Sequence, residues 1–178
     1  MSPLRRRWLM LIAIVIPVLA LDQITKRLVV DTMTLYETTR PIPALAPFFQ
    51  LTRSENRGAA FGFLPAAGDF FLILAIIIVI ALIIYYPRLP EKAHVTRVAF
   101  GLVVGGALGN ALDRFEYGVV IDFIHYTIPG IISNVSNIAD HAIVLGVLML
   151  LVESWRSEPT KASQPAPAAS QPGDDTAA

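Results

Sequence analysis

Apolar residues are concentrated in four long runs along the chain, and most polar residues lie between them. A helix that crosses a bilayer needs about 20 mostly apolar residues, and the four runs meet this requirement. They cover about residues 8–28, 68–86, 96–113 and 138–155, and the second has no charged residue between 70 and 86. The pattern predicts an integral membrane, mainly α-helical protein with four transmembrane helices.

The first run has an alternative interpretation as a cleaved signal peptide, because three arginines at 5–7 precede it. Signal peptidases cleave after small residues in a small-x-small pattern. Here Ala20 is followed by Leu21 and Asp22, which does not give a clean cleavage site. A retained first helix is therefore favoured.

The connections after the first and third spans contain β-prone segments. In the first, the runs FFQLTR at 48–53 and AAFGFL at 59–64 flank a turn-rich segment at 54–58, which predicts a hairpin-like β region over about residues 40–66. The second connection contains GVVIDFIHY at 118–126. We expect a small extracytoplasmic β region between helices 1 and 2, and a second outer loop between helices 3 and 4.

The chain divides into a membrane domain over residues 1–156 and a tail over 157–178. The tail is rich in Pro, Ala, Ser and Gln and lacks the apolar residues needed to form a core, which predicts a disordered cytoplasmic segment.

Basic residues favour one side of the membrane. Eight of the fourteen Lys and Arg residues lie in short segments on that side: Arg5, Arg6, Arg7, Arg88, Lys92, Arg97, Arg156 and Lys161. Aromatic residues typical of the membrane interface lie at span ends on the same side, namely Trp8, Tyr85, Tyr86 and Trp155. Because cytoplasmic loops carry an excess of Lys and Arg, both termini are predicted to be cytoplasmic.

Composition narrows the possible chemistry. The chain is 54% hydrophobic and 16% charged, its mean hydropathy is +0.60, and it has no cysteine. The absence of cysteine excludes a thiol nucleophile, disulfides and thiolate metal sites. Fourteen acidic residues balance fourteen basic ones, so no nucleic-acid surface is expected.

Ionisable residues in the spans are candidates for function, and they lie near the outer ends. Asp22 and Lys26 are four residues apart, and the simplest interpretation is a helix-end ion pair whose Lys26 snorkels to the interface. Asn110, Asp113 and Arg114 share a helical face, and the simplest interpretation is that Arg114 neutralises Asp113.

Three glycines in the third span, Gly101, Gly105 and Gly109, are spaced by four residues. Small residues at this spacing allow a second helix to approach closely. Packing within the bundle is the favoured interpretation, and homodimerisation is the alternative.

Asp122 and Asp140 form the sharper catalytic candidate. Asp122 lies among apolar residues in VVIDFI, where an ionised carboxylate is costly, and Asp140 lies in the predicted first turn of the fourth helix, where negative charge is favoured. Two adjacent carboxylates that share a proton can activate water and protonate a leaving amine. A metal site that uses His125 and His141 with these acids is a weaker alternative, and a helix-stabilising role for Asp140 also stays open.

Five ordered blocks resemble the bacterial lipoprotein signal peptidase (signal peptidase II) family over nearly the whole chain apart from the tail. The blocks are LDQITK at 21–26, NRGAAFG at 56–62, GGALGNALDR at 105–114, VIDF at 120–123 and NIAD at 137–140. The resemblance implies an aspartyl endopeptidase of the bacterial inner membrane, with its active site at the outer interface. It would cleave diacylglyceryl-modified prolipoproteins just N-terminal to the lipidated Cys, in contact with membrane lipids, as a monomer and without a metal or other cofactor.

The same resemblance assigns residues to roles. The catalytic pair maps onto Asp122 and Asp140, and the supporting residues map onto Asp22, Lys26, Asn56, Gly106, Asn110, Asp113, Arg114 and Asn137. Two positions depart from the family pattern: Ser136 replaces a frequent Phe, and His141 replaces a frequent small residue.

Two other classes of function are compatible with intramembrane acids. A small ion-coupled transporter would place polar groups near the middle of the membrane and often show internal repeats, but no repeat is visible here and the acids lie at one interface. A non-catalytic assembly protein would use the acids only for packing.

Overall fold

The computed structural model describes residues 2–58 and 68–157. Four helices in this part of the chain are long and apolar enough to cross a membrane. They are α1 (Pro3–Thr32), α2 (Gly68–Tyr85), α3 (His94–Tyr117) and α4 (Ile138–Ser157). The predicted four-helix architecture is confirmed. The last helix includes Ser157, the first residue of the predicted tail, and the rest of the tail lies outside the described residues.

The glycines of α3 pack against α1. A Cβ atom at Gly101 would lie 2.7 Å from Ile14, and one at Gly109 would lie 2.5 Å from the Asp22 Oδ2 atom, with Gly105 facing α1 between them. Residue numbers rise together along this contact, so α1 and α3 run parallel. The interpretation as helix packing within the bundle is confirmed.

Glycines also bring α3 and α4 together. A Cβ atom at Gly106 would clash with the carbonyl oxygen of Ala139, and one at Gly146 would lie 2.8 Å from the carbonyl oxygen of Ala99. The numbering runs in opposite directions along this contact, so the two helices are antiparallel. The close approach at Gly106 fixes the first turn of α4, which carries Asp140, against α3.

The connections after α1 and after α3 form one antiparallel sheet. Its strands are β1 (Thr38–Thr39), β2 (Phe49–Asn56), β3 (Val120–Ile128) and β4 (Ile132–Ser136), in the order β1-β2-β3-β4. The second outer loop is therefore part of the β region, which the sequence analysis treated as separate.

The turn predicted at 54–58 is wrong for its first three residues. Ser54 pairs with Asp122 and Asn56 pairs with Val120, so β2 continues through this segment and uses β3 as its partner. The strand predicted at 59–64 lies outside the described residues. The cross-strand pairing places Asn56 beside the strand that carries Asp122.

An apolar cluster attaches the sheet to the bundle. Val29 and Met33, at the end of α1, pack against Phe123 and Ile124 of β3. Because Phe123 directly follows Asp122, this cluster holds Asp122 against the ends of the helices.

Candidate active site

Lys26 is the centre of a buried ionic cluster. Its Nζ atom lies 2.8 Å from Asp22 and 2.7 Å from Asp113, and both carboxylates are fully buried. The predicted ion pair with Asp22 is present, but the snorkelling interpretation is wrong because Lys26 is only 2% exposed. The Lys26 side chain extends from α1 to the Asp113 side chain of α3, and this second carboxylate offsets part of its desolvation.

Arg114 interacts with the charge of Asp113 only at longer range, because its guanidinium contacts backbone carbonyl oxygens and not this carboxylate. Its Nη1 and Nη2 atoms donate to the carbonyl oxygens of Asn110 and Gly58, at 3.2 and 2.9 Å. Asp113 instead accepts a 3.0 Å hydrogen bond from the backbone N–H of Ile121 and so ties α3 to β3. Helical spacing could not reveal this, because Lys26 reaches Asp113 from a different helix.

Gln23 belongs to the same cluster, although the sequence analysis did not select it. Its Nε2 atom donates to Asp22, Asp113 and the carbonyl oxygen of Gly109, at 3.1, 2.8 and 3.2 Å. The available signal was an uncharged amide inside an apolar run, directly after a candidate acid.

Asn137 connects the two candidate catalytic acids. Its Oδ1 atom accepts a 2.8 Å hydrogen bond from the backbone N–H of Asp140, which caps the start of α4. Its Nδ2 atom donates to the Asp122 Oδ1 atom at 2.6 Å. One fully buried side chain therefore sets the relative position of Asp122 and Asp140. The first-turn position predicted for Asp140 is confirmed.

Two further asparagines contact one carboxylate each. Asn56 donates to the Asp122 Oδ2 atom at 3.1 Å, and Asn110 donates to the Asp140 Oδ1 atom at 2.7 Å. The Asn110 Oδ1 atom accepts a 3.0 Å hydrogen bond from Lys26, which orients the amide so that its N–H groups face Asp140. The ionic cluster and the acid pair are thus one hydrogen-bonded network.

The surroundings of the two acids differ. Asp122 is 2% exposed, and burial, followed by the negative charge of Asp140, raises the pKa of Asp122 to about 7 against the opposing effect of its hydrogen bonds from Asn56 and Asn137. Asp140 is half-buried. Near neutral pH the arrangement can therefore hold one proton on Asp122 next to an acid that is accessible to substrate.

Asp140 lines a cavity of about 480 Å³ between α2, α3, α4 and the sheet. The polar side chains of Asn56, Asn110 and Arg114 also line the cavity, and most of the remaining wall is apolar. Asp122 is not itself a lining residue, but its Oδ2 atom is hydrogen-bonded to Asn56 at the edge of the cavity. The cavity can receive an apolar chain and bring it beside the acid pair. Its helical apolar lining consists of Phe71, Leu74, Ala75, Ile78, Val103, Ala107, Ile143 and Val144.

The two histidines near the acids lie in separate environments. His141 lines the cavity. It contacts the hydroxyl of Tyr126 at 3.1 Å and the carbonyl oxygen of Asn137 at 2.5 Å. His125 contacts Thr52 and Ser133 within the sheet. In the part of the chain that the structure describes, no group of three or more His, Cys, Asp or Glu residues could hold a metal ion.

The structure brings the sequence-selected residues into one layer. The contacts given above join seven of these residues: Asp22, Lys26, Asn110, Asp113, Asp122, Asn137 and Asp140. The other three border this set: Asn56, Gly106 and Arg114. The residues selected from the five sequence blocks therefore form one continuous site.

The family model described as signal peptidase (SPase) II matches residues 14–156, which include every residue of this layer. The chain belongs to the signal peptidase II family. It is 37% identical to the lipoprotein signal peptidase of Halothermothrix orenii over 149 residues, covering 84% of this chain and 97% of that protein. It is 42% identical to the lipoprotein signal peptidase of Brevibacillus brevis over 146 residues, covering 82% and 93%.

Solved structures of similar fold agree with this membership of the signal peptidase II family. One bacterial membrane enzyme, at 2.3 Å resolution, has a TM-score of 0.78 and 33% sequence identity over 88% of this chain and 94% of its own. A second, at 1.9 Å resolution, has a TM-score of 0.73 and 35% identity over 83% and 93%. The chain is therefore a membrane peptidase, and the comparisons give no support to the transporter alternative.

Proposed function

We propose that the chain is an aspartyl endopeptidase that removes the signal peptide from diacylglyceryl-modified prolipoproteins, cleaving just N-terminal to the lipidated Cys. Family membership supports the prolipoprotein substrate. The observation that carries the catalytic type is the pairing of a buried acid, Asp122, with a cavity-lining acid, Asp140, through the amide of Asn137.

In this mechanism the pair begins with one proton, on Asp122, and Asp140 is the proton acceptor. Asp140 accepts a proton from a water molecule as the water oxygen attacks the scissile carbonyl carbon. Asp122 donates a hydrogen bond to the carbonyl oxygen, where negative charge develops. When the C–N bond breaks, the proton held by Asp140 passes to the leaving amine, so the pair returns to its singly protonated state.

The supporting residues keep this geometry. Asn56 and Asn137 hold the two oxygens of Asp122, and Asn110 holds Asp140. Lys26 orients Asn110 while it neutralises Asp22 and Asp113. We assign these residues to positioning, because the three asparagines hold the carboxylates by direct hydrogen bonds and Lys26 acts on Asp140 through Asn110.

The cavity suits a substrate that arrives from within the membrane. A signal peptide with a lipid on the neighbouring Cys presents an apolar helix and two acyl chains, and the cavity walls from α2, α3 and α4 are largely apolar. Burial of such chains is favourable by about 25 cal/mol per Å² of apolar surface. Arg114 would bind the peptide backbone at the polar part of the same cavity, next to Asn56 and Asn110.

We also infer the orientation in the inner membrane. Both termini are assigned to the cytoplasm, because the basic segments lie at the end of the bundle where α1 and α3 begin. The sheet and the acid pair are then at the outer interface. Phe115 and Ile131 are 84% and 82% exposed at this end, which suits contact with lipid head groups and acyl chains.

The substrate is tested by incubating the purified protein with a diacylglyceryl-modified prolipoprotein and with the same chain lacking the lipid. We expect cleavage of the lipidated form to be at least about tenfold faster, because the acyl chains add apolar surface that the cavity can bury. Product masses should place the cut immediately before the modified Cys. Equal cleavage of both forms, or a cut elsewhere, would contradict the proposed specificity.

Activity should fall as pH rises above neutrality. The pKa of Asp122 is about 7, so at higher pH the acid that donates to the carbonyl oxygen loses its proton. Because this pKa belongs to the substrate-free protein, we expect kcat/KM to decrease by about tenfold per pH unit on the alkaline side. A rate measured from pH 6 to pH 9 that stays constant would contradict this assignment.

Folding stability provides a second measurement of the same proton. The pKa of Asp122 is raised from 3.8 to about 7 in the folded protein, so the folded state binds the proton more tightly. The contribution of this group to stability is therefore largest at low pH and decreases as pH rises from about 4 to about 7. Subtracting the stability profile of Asp122→Asn from that of the unmodified protein isolates this slope.

A further inference from the structure

A second cavity lies at the opposite end of the bundle from the acid pair. It has a volume of about 450 Å³ and is formed by the first residues of α1, the connection after α2 and the first turn of α3. Because α1 and α3 run parallel, both helices begin at this end and carry the candidate active site near their other ends. The lining residues are Pro3, Arg6, Arg7, Met10, Glu91, Lys92, His94 and Arg97.

The lining is strongly cationic. Four basic side chains, from three arginines and Lys92, face a single carboxylate, Glu91. That carboxylate is engaged by Arg7 at 3.3 Å and its side chain is 77% exposed. Glu91 therefore neutralises little of the positive charge, although the whole chain has no net charge.

Arg97 provides a built donor within this cavity. It is 2% exposed, and its Nη2 atom donates to the carbonyl oxygens of Leu89 and Pro90, both at 2.8 Å. Its guanidinium also lies over the ring of Tyr86, 5.5 Å from the centroid. These contacts hold the group in one orientation. Its Nη1 atom is buried and makes no well-aligned hydrogen bond among the described residues, and the Tyr86 hydroxyl is a polar group near the same guanidinium. One charged N–H donor at the cavity wall is therefore left to be satisfied by a ligand.

One helix N-terminus adds to the positive potential. The α3 helix begins at His94 in the cavity lining, whereas the start of α1 adds little, because Pro3 has no N–H and Ser2 already caps the N–H of Arg5. Ala93, which precedes α3, provides no side-chain cap. Backbone N–H groups at helix starts favour anions. Together with Arg97 they form a site for a compact anion that can accept several hydrogen bonds.

From these features we propose that this cavity binds a phosphate group, supplied by an anionic membrane phospholipid. A phosphate offers several acceptor oxygens for guanidinium and backbone donors. A lipid is favoured over free phosphate because this end of the bundle has the aromatic residues of a membrane interface. These residues are Trp8, whose ring centroid lies 5.6 Å from that of Tyr86, and the exposed Tyr85. Basic pockets between transmembrane helices bind anionic head groups by the same chemistry.

Trp8 offers a direct optical test. In a Trp155→Phe background of the full chain Trp8 is the only tryptophan, and it packs on the ring that lies under Arg97. Titration of the detergent-solubilised protein with phosphatidylglycerol should give a saturable change in its fluorescence, and titration with diacylglycerol, which lacks phosphate, should not. Inorganic phosphate is titrated separately.

The variants assign the binding to this cavity. Arg97→Gln should weaken phosphatidylglycerol binding by at least about tenfold, and so should the combination Arg6→Gln with Lys92→Gln, whose exposed side chains are not required for folding. Arg88→Gln is the matched control, because Arg88 is an exposed arginine at the same end of the bundle but outside the cavity lining.

Each outcome decides the proposal. Lipid binding that weakens in the cavity variants alone supports the lipid site. Variant-dependent binding of inorganic phosphate without binding of phosphatidylglycerol retains the phosphate site and rejects the lipid source. Absence of both, equal binding of diacylglycerol, or an equal loss in Arg88→Gln would overturn the proposal.

Discussion

Asp122→Asn and Asp140→Asn are each expected to reduce prolipoprotein cleavage by about 10³–10⁴-fold or more. General acid–base groups contribute about 10²–10⁴-fold. Loss of Asp122 removes the proton donor and loss of Asp140 removes the proton acceptor, and neither acid can complete the reaction without the other. Because the pair acts as a unit, the double variant should be hardly slower than either single variant. The measurement is the initial cleavage rate of a diacylglyceryl-modified prolipoprotein by purified protein.

The asparagine substitutions keep the size of each side chain, so a loss of activity should not reflect loss of the fold. Asp31→Asn is the matched control, because Asp31 is an exposed acid near the end of α1. We expect near-normal cleavage by this control and unchanged protein yield in all variants. Near-normal cleavage by either Asp122→Asn or Asp140→Asn would reject the aspartyl mechanism.

The helical part of the fold could be predicted from sequence because the membrane sets a simple length requirement. Each apolar run of suitable length became one helix, and the spacing of Gly101, Gly105 and Gly109 gave the close packing of α3. The parallel direction of α1 and α3 follows because consecutive membrane spans alternate in direction. These features depend on local composition, which the sequence displays directly.

The sheet was harder to predict because its central pairing is non-local. Ser54 pairs with Asp122, although α2 and α3 separate the two residues in the sequence. No local sequence pattern predicts that partner. Turn-forming residues at 54–56 favoured a hairpin, yet tertiary pairing with β3 extends the strand through them. The consequence matters for the site, because the extension is what places Asn56 beside Asp122.

The charged residues show the same limit. Spacing along one helix correctly paired Asp22 with Lys26, but it also paired Asp113 with Arg114, whose guanidinium contacts backbone carbonyl oxygens and not this carboxylate. Helical periodicity identifies only contacts within one helix. A buried charge also needs partners from neighbouring elements, as Lys26 of α1 does with Asp113 of α3. The buried lysine between α1 and α3 therefore became the partner of both acids.

Lys26→Met is expected to be the most destabilising of the substitutions considered. It removes the cation that contacts the fully buried Asp22 and Asp113, and breaking a buried ion pair by removing one partner costs about 3–5 kcal/mol. Methionine is similar in length and apolar, so the lost charge accounts for the effect. The measurement is the free energy of unfolding, or the melting temperature, of the detergent-solubilised protein.

Two comparisons separate charge burial from general damage to the helix. Arg27→Met removes the neighbouring, exposed cation of α1 and should change stability by less than about 1 kcal/mol. Adding Asp22→Asn and Asp113→Asn to Lys26→Met removes the two uncompensated carboxylates and should restore much of the stability. If Lys26→Met is as stable as Arg27→Met, the buried cluster is not the tie between α1 and α3 that the distances indicate. If the triple variant regains stability but not cleavage, the remaining loss reflects Asn110, which without the Lys26 hydrogen bond no longer presents its amide to Asp140.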